Sequence, residues 1–348
     1  MATTPADELR TIAVDAPTAQ APVARPAAGL LGQPLGLALL LLVGAALVAL
    51  PWLTSAYWVR VFTMVFMFAA LAQSLNVIAG FAGYADFGNG VYFGIGAYAT
   101  GFLMQQGLPP PLAVLVGALL AVLLAALLGL PILRLKGHYF AIATIGVMEG
   151  VRELVTNMGF VGGGQGLNVP IIRMSPAQFS TLIYFLMFAL MVGYTALVYW
   201  LSRSSLGYGL RAIKGDEQAA AVMGIDTTRS KVIAWCLSAA CTATVGGVYA
   251  IWAGFIEPGV AFDIVRGTEY FMMMLLGGAG TVFGPILGAF ILQLIGNLVW
   301  SQFLHGHLAI LGVVIVLIVL FLPSGLVNAF RRGPSWRLLG RQGAGVGR

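Results

Sequence analysis

Few side chains in this 348-residue chain have the types and spacing that chemistry needs. Glu149, Arg152 and Glu153 fall in one apolar stretch, at the three- and four-residue spacings that share a helix face. Charges inside apolar spans are candidates for function by default, because hydrocarbon penalises them, yet a structural ion pair near the interface accounts for this trio more simply. His138 stands at a helix end, and His305 and His307, two apart in a short loop, are a weak metal-ligand hint. Cys236 and Cys241, five apart in one apolar segment, match neither a disulfide framework nor a metal site and read as small core residues. "GGGQG" at Gly162 to Gly166 lacks the Lys that follows a phosphate-binding loop. "GNGVYFGIG" has the glycine spacing of a dinucleotide loop but lies in an apolar span with no strand before it. No nucleophile, base and orienting group recur together, so the residues assign no catalytic, cofactor or metal site.

The elements that must position these residues are set by composition. Hydrophobic residues make up 59% of the chain and charged residues 9%, against roughly 25% charged in an average soluble domain. So few charges cannot cover a soluble surface, and the surplus apolar area must face lipid. Apolar runs long enough to span, or nearly so, fall at about 29–50, 59–79, 88–105, 111–133, 138–157, 178–201, 231–253, 268–280, 284–301 and 308–323. Glycine and proline interrupt the third, eighth and ninth, which sets the span count at eight to ten. Lipid leaves only helices and closed barrels, and long Leu/Ala/Val runs without alternation are helical, so the fold class is an all-α membrane bundle. Residues 1–28, rich in Ala, Pro and Thr, read as a disordered tail; 29–330 form the membrane domain, and 331–348 a basic C-terminal tail. No small-residue cleavage site follows the tail, so the first span is expected to be retained.

Lys and Arg give the orientation. Arg10, Arg25, Arg134, Lys136, Arg203, Arg211, Lys214, Arg229, Lys231, Arg331, Arg332, Arg337, Arg341 and Arg348 account for 14 of the 18 positive residues, and ten spans place them all on one side. By the positive-inside rule that side is the cytosol, where both termini are then expected. The opposite loops carry Arg60, Arg173 and Arg266, with Glu257, Asp263 and Glu269 in one of them. Topology alone accounts for the net charge of +6, and no nucleic-acid partner is called for.

Two further patterns stand out. "AGYADFGNGVYFGIGA" (Ala82 to Ala97) and "AGTVFGPILGA" (Ala279 to Ala289) share Ala-Gly, a spacer, Phe-Gly and then glycines four apart. The residues so marked are Gly83, Asp86, Gly88, Gly90 and Gly94 in one half, and Gly280, Gly284 and Gly288 in the other. Such glycines let another backbone approach closely, and paired Gly-rich helices in two related halves are a signature of repeat-built transporters. Between two apolar spans, about 203–230, lies a polar hairpin whose core is "RAIKGDEQAAAVMGIDTTRSK". Asp216 is an N-cap, Glu217 suits the first turn, Gln218 to Met223 are mostly strong helix formers, and Gly224 is a left-handed terminator. Asp226 or Thr227 then caps the next span. So short a helix is marginal alone and needs a surface to lie on.

The ordered set "GYADFGNGVYFGIGAYATGFL", "RLKGHYFAIATIGVMEGVREL", "GGGQGL", "SSLGYGLRAIKGDEQAAAVMGID", "GGAGTVFGPILGAFIL" and "LFLPSGL" resembles the permease subunit of ABC importers for branched-chain amino acids, over residues 30 to 328. The resemblance implies that the hairpin docks into an ATP-binding subunit through Asp216, Glu217, Gln218, Ala219, Ala220 and Gly224. The family pattern is Glu-Ala-Ala, three residues and Gly; here Gln218 takes the acidic place and Glu217 sits one earlier. The resemblance also implies two ATPase subunits that bind the ATP, a second related permease subunit and an extracytoplasmic substrate-binding protein, for which the acidic loop around Glu257 to Glu269 is a docking candidate. "DFGN" at Asp86 to Asn89 departs from the expected Ser-Leu-Gly-His, and urea, amides or other amino acids are alternative cargoes. A pathway of small, weakly polar groups without a tight site is expected.

An ATP-independent secondary transporter or channel is the alternative reading. It would usually carry more ionisable residues in its core helices, and an intramembrane enzyme would need polar catalytic groups gathered at one depth.

Overall fold

The computed structural model describes the backbone of residues 34–302 and the side chains of 42–297. Two units divide the chain, Met1–Ala49 and Leu50–Arg348. The boundary falls inside the first described helix, α1 (Pro34–Leu53). Eleven further α-helices follow among the described residues: α2 (Ala56–Leu75), α3 (Gly90–Gln105), α4 (Pro110–Ile132), α5 (His138–Asn157), α6 (Pro176–Arg203), α7 (Ser205–Gly215), α8 (Glu217–Val222), α9 (Thr227–Ala253), α10 (Pro258–Ala261), α11 (Ile264–Gly277) and α12 (Gly284–Gln302). The described parts of nine of the ten apolar runs thus lie almost wholly in helices, and the tenth, 308–323, falls outside the described residues, as do both tails. The chain is an all-α multi-pass membrane protein; among the described residues four helices meet the length and apolarity of a span outright, Ala56–Gly80, Pro110–Ile132, Pro176–Arg203 and Thr227–Ala253.

Helix α2 runs through the middle of the larger unit, buried from Val65 to Gly80 on every side. An apolar helix without a polar face is the kind that belongs in a core. A π turn, Asn76–Gly80, continues α2 directly, a local irregularity that marks functional positions in many helices.

Helices α3, α4 and α9 pack on one another through small residues. In α4, Ala113, Gly117, Ala121, Ala125 and Gly129 recur every fourth residue and are buried, while Leu115, Leu119, Leu123 and Leu127 on the other side are exposed. That division suits a helix with one face on protein and one on lipid. A Cβ at Gly96 of α3 would overlap the Ala243 carbonyl of α9, and one at Gly246 of α9 would overlap the Phe93 carbonyl of α3. These backbones touch.

Caps set the ends. Ser175 and Gln178 form a reciprocal capping box at α6, with Pro176 in the first turn. Opposite the hairpin end of the bundle, a two-residue antiparallel ribbon pairs Leu167 with Ile256 and Asn168 with Phe255.

Candidate functional site

The polar hairpin is two helices, where its sequence predicted one. Ser204 accepts from the Gly207 amide and starts α7. Its buried Gly209, Leu210 and Ile213 make an amphipathic stripe. Asp216 accepts from the amides of Gln218 and Ala219, 2.8 and 3.0 Å away, and so caps α8. Gly224 has φ +85°, a left-handed stop, and Asp226 caps α9 by accepting from Arg229 at 2.9 Å.

Glu217 faces inward. Its Oε1 accepts from Lys231 Nζ at 2.6 Å, and its Oε2 accepts from Tyr84 Oη at 3.1 Å and pairs with Lys136 Nζ at 3.1 Å. Burial works against the charged form, but the Lys231 and Lys136 ammoniums and the Tyr84 hydroxyl prevail and hold this carboxyl down at about 2. The Lys231 side chain, at the base of α9, is 5% exposed and also donates to Tyr84 Oη and the Leu133 carbonyl, each at 3.0 Å. All three ammonium hydrogens therefore have acceptors. Ala220 is buried on the same face of α8, whereas Ala219 is exposed and Val222 and Met223 are 88% and 82% exposed. Of the docking residues that the resemblance implies, Glu217 and Ala220 therefore face their own protein: a six-residue helix anchored through Glu217 turns the residue three positions on, Ala220, inward as well.

Lys214 anchors the hairpin a second time. Its Nζ donates to the Gly80 carbonyl at 2.8 Å, capping the π turn, and burial lowers its pKa. Gly80 in turn touches Gly280: a Cβ on Gly80 would lie 2.7 Å from the Gly280 nitrogen. Asn76 clamps that contact, accepting from the Gly280 amide at 2.8 Å and donating to the Thr281 carbonyl at 2.9 Å, while Gln73 donates to Val282 at 2.6 Å. The second echoing segment is thus held by the end of α2 and the π turn, just before the first segment begins, and the Ala-Gly steps of the two match: Gly83 has φ +79° and Gly280 φ +80°. Other marked glycines serve different contacts. Gly88 abuts the Thr144 backbone of α5, Gly94 the Phe262 ring, Gly284 its own preceding turn and Gly288 the Met273 carbonyl, while a Cβ on Gly90 would lie 3.1 Å from the flexible Met148 sulphur. Only some of these are backbone approaches between helices, because glycine spacing cannot say what lies opposite.

Above the hairpin, the segment from Tyr84 to Asn89 climbs into the bundle and carries a buried polar cluster. Asn89 donates to Ser238 Oγ at 3.1 Å and accepts from Thr242 Oγ1 at 2.7 Å; Thr242 is joined to Ser74 at 2.8 Å, and Tyr270 donates to Asn89 Oδ1 at 3.4 Å. Trp235 donates to the Tyr92 hydroxyl beside it. Asp86, 2% exposed, accepts from Asn89 at 3.5 Å through Oδ2, and its Oδ1 has no partner. The DFGN motif marks Asp86 and Asn89 in the sequence, but no local pattern ties them to Ser238, Thr242 or Tyr270, an association that spans up to 181 residues of chain.

The charged trio lies elsewhere, on α5. Glu149 and Arg152 pair at 2.7 Å, each more than a third exposed, and Glu153 accepts from Asn157. Cys241 is buried, Cys236 half-buried and neither is in a disulfide. Among the described residues, no three His, Cys, Asp or Glu gather at metal-binding distance; His305 and His307 fall outside them.

Residues 57–321 match the family model described as branched-chain amino acid transport system / permease component. The chain is 29% identical to the high-affinity branched-chain amino acid transport system permease protein LivM of Salmonella typhimurium, over 86% of this chain and 76% of that one. It is likewise 29% identical to the Escherichia coli LivM, over 82% and 73%. With the autoinducer 2 import system permease protein LsrC of an Enterobacter species the identity is 26%, over 66% and 70%. No solved structure matches.

Proposed function

Since the chain belongs to the family of branched-chain amino acid transport system permease components, and is thereby the transmembrane permease subunit of an ABC importer, we propose that it carries branched-chain amino acids or similar small polar solutes inward, and that α8 is its coupling element. The carrying observation is the posture of α8. It is latched to the membrane domain through Glu217 and presents Ala219, Val222 and Met223 outward. An exposed apolar edge on a capped, anchored helix suits a groove on a partner that moves it.

In this reading the hairpin and both termini are cytosolic, ATP binds and is hydrolysed on two partner subunits, and a second related permease subunit completes the membrane core. A soluble receptor delivers cargo from outside, with the loop around Glu257 to Glu269 as its docking face. Motion of α8 reaches the interior along two contacts. Glu217 pulls on Tyr84, three residues before the loop enters the polar cluster at Phe87 and Asn89, and Lys214 pulls on the Gly80–Gly280 contact. Each contact is short and involves a buried group, so displacement is transmitted rather than absorbed.

Reconstitution of the permease with its ATPase subunits and receptor in vesicles, and uptake over a panel of amino acids, urea and amides, tests the assignment. ATP-dependent uptake of branched-chain amino acids supports it. Uptake that persists unchanged without ATP or ATPase subunits contradicts it.

A further inference from the structure

Helix α5 runs from the hairpin end of the bundle to the ribbon end. Lys136, just before it, pairs with Glu217, and Thr156 near its far end lies against Gly163 and Gly164. Its 20 residues rise about 30 Å, the thickness of a bilayer's hydrocarbon. The side it buries is narrow: Phe140, Thr144 and Met148, at four-residue spacing. Gly146 and Gly150 lie on the exposed side, and a Cβ on either would meet nothing within 4 Å among the described residues. At 100° per residue, Ile142, Gly146, Glu149 and Glu153 fall within about 60° of one another, opposite that buried stripe.

The chemistry of this side decides what it can face. Lipid suits leucine, and the outward side of α4 is leucine throughout, at Leu115, Leu119, Leu123 and Leu127. On α5 the outward side is glycine and charge instead. Glu149 is the twelfth residue of the helix, about 16 Å from its hairpin end, so the Glu149–Arg152 pair stands near mid-depth and not at the membrane interface that the sequence suggested. Both partners keep more than a third of the side chain exposed. Glu153 is exposed as well and has no ion pair among the described residues. Hydrocarbon penalises charge at that depth, and sealing an unpaired carboxylate against another protein is costly too. Water satisfies all three groups.

We propose that the outward face of α5 lines the water-filled passage by which solute crosses the membrane. This rests on the import reading above and says where along this chain the solute passes. The Gly-rich segments, where a pathway of small groups was expected, are filled by their own protein: a Cβ at Gly88, Gly94 or Gly288 would overlap Thr144, the Phe262 ring or Met273. The helix is also placed to move with the hairpin. Lys136 is tied to Glu217 at 3.1 Å, and the Phe140 ring meets the Tyr84 ring edge-on with centroids 5.0 Å apart. A helix that buries so narrow a stripe can shift with less repacking than one enclosed on every side, such as α2.

The test uses the complete transporter with its ATPase subunits and receptor, and the water-soluble cation methanethiosulfonate ethyltrimethylammonium as a thiol probe. Gly146→Cys and Gly150→Cys report on α5, Leu119→Cys and Leu123→Cys on the lipid side of α4 at similar depth, and the unsubstituted chain gives the background of Cys236 and Cys241. Labelling is done in lipid nanodiscs, where both faces are open, during ATP turnover; uptake of L-leucine is then measured in vesicles. The thiolate is the reactive form and needs water to ionise, so both α5 cysteines should react at least about tenfold faster than either α4 cysteine. Before labelling, the α5 variants should transport as wild type does, which shows that they fold. After it, they should lose ATP-dependent uptake, because the attached group stands in the passage, while the α4 variants keep theirs. If the wild type imports L-leucine and the α5 cysteines react no faster than those of α4, or react without loss of uptake, the passage lies elsewhere and the import reading stands. If the wild type shows no ATP-dependent uptake of any solute, both fall.

Discussion

Lys231 Nζ lies 2.6 Å from Glu217 Oε1, across a connection that joins the shortest hairpin helix to the base of the span α9. The same two residues share the Tyr84 hydroxyl, which accepts from one and donates to the other. The hairpin is polar because these groups fasten it: a two-turn helix in water has too little of its own to stay folded, and here buried ion pairing supplies what its length does not.

Glu217→Gln should therefore destabilise the permease by about 1–3 kcal/mol, since it leaves Lys231 buried without its counter-charge. Lys231→Met in the same chain should recover part of that loss, because an apolar replacement of a buried pair is often close to neutral. Melting temperatures of the two single variants and the double variant give the coupling; strict additivity would show that the pair contributes nothing.

The pH dependence follows with a definite sign. The Glu217 carboxyl is held at about 2 in the folded protein, against 4.5 ordinarily, so it stabilises the fold fully above the ordinary value and loses that contribution as pH falls through the window between them. The melting-temperature difference between wild type and Glu217→Gln should be constant at neutral pH and shrink below about 4.5. A difference that grows on acidification would contradict the sign.

Gly96→Ala and Gly246→Ala should each lower stability by about 1–3 kcal/mol, as each Cβ meets a carbonyl of the facing helix that cannot swing away. Gly146→Ala in α5 is the control. Nothing lies within 4 Å of its Cβ, and alanine is about 1 kcal/mol better than glycine inside a helix. Equal melting temperatures for all three would show that α3 and α9 are not in backbone contact in the membrane.

Much of this was legible in the sequence, and the limit is one of range. Apolar runs announce helices because the signal is local, and α5 runs over His138–Asn157 as read. Asp216 and Gly224 announced the ends of α8 for the same reason, each acting within three residues of itself. Helix α7 had a local signal too, in Ser204 and the stripe through Leu206, Leu210 and Ile213, but the many glycines in "SSLGYGLRAIKG" hid it. The Asn76 clamp on Gly280 joins residues 204 apart, and no spacing rule connects them. Asp86 was singled out for its unusual motif, while its polar neighbours on α9 and α11 could be found only once the helices were packed.

Retention of the ATPase subunits by an α8 variant tests the central claim most directly. Ala219→Arg places a bulky charge on the exposed face of α8, away from Glu217 and the buried Ala220. Permease yield and melting temperature should equal wild type, since surface substitutions away from such contacts usually cost within about 0.5 kcal/mol. The account predicts that this variant, extracted in mild detergent, loses its ATPase subunits and supports no receptor-stimulated hydrolysis. Normal ATPase retention with fully coupled uptake would contradict it and leave α8 a connector.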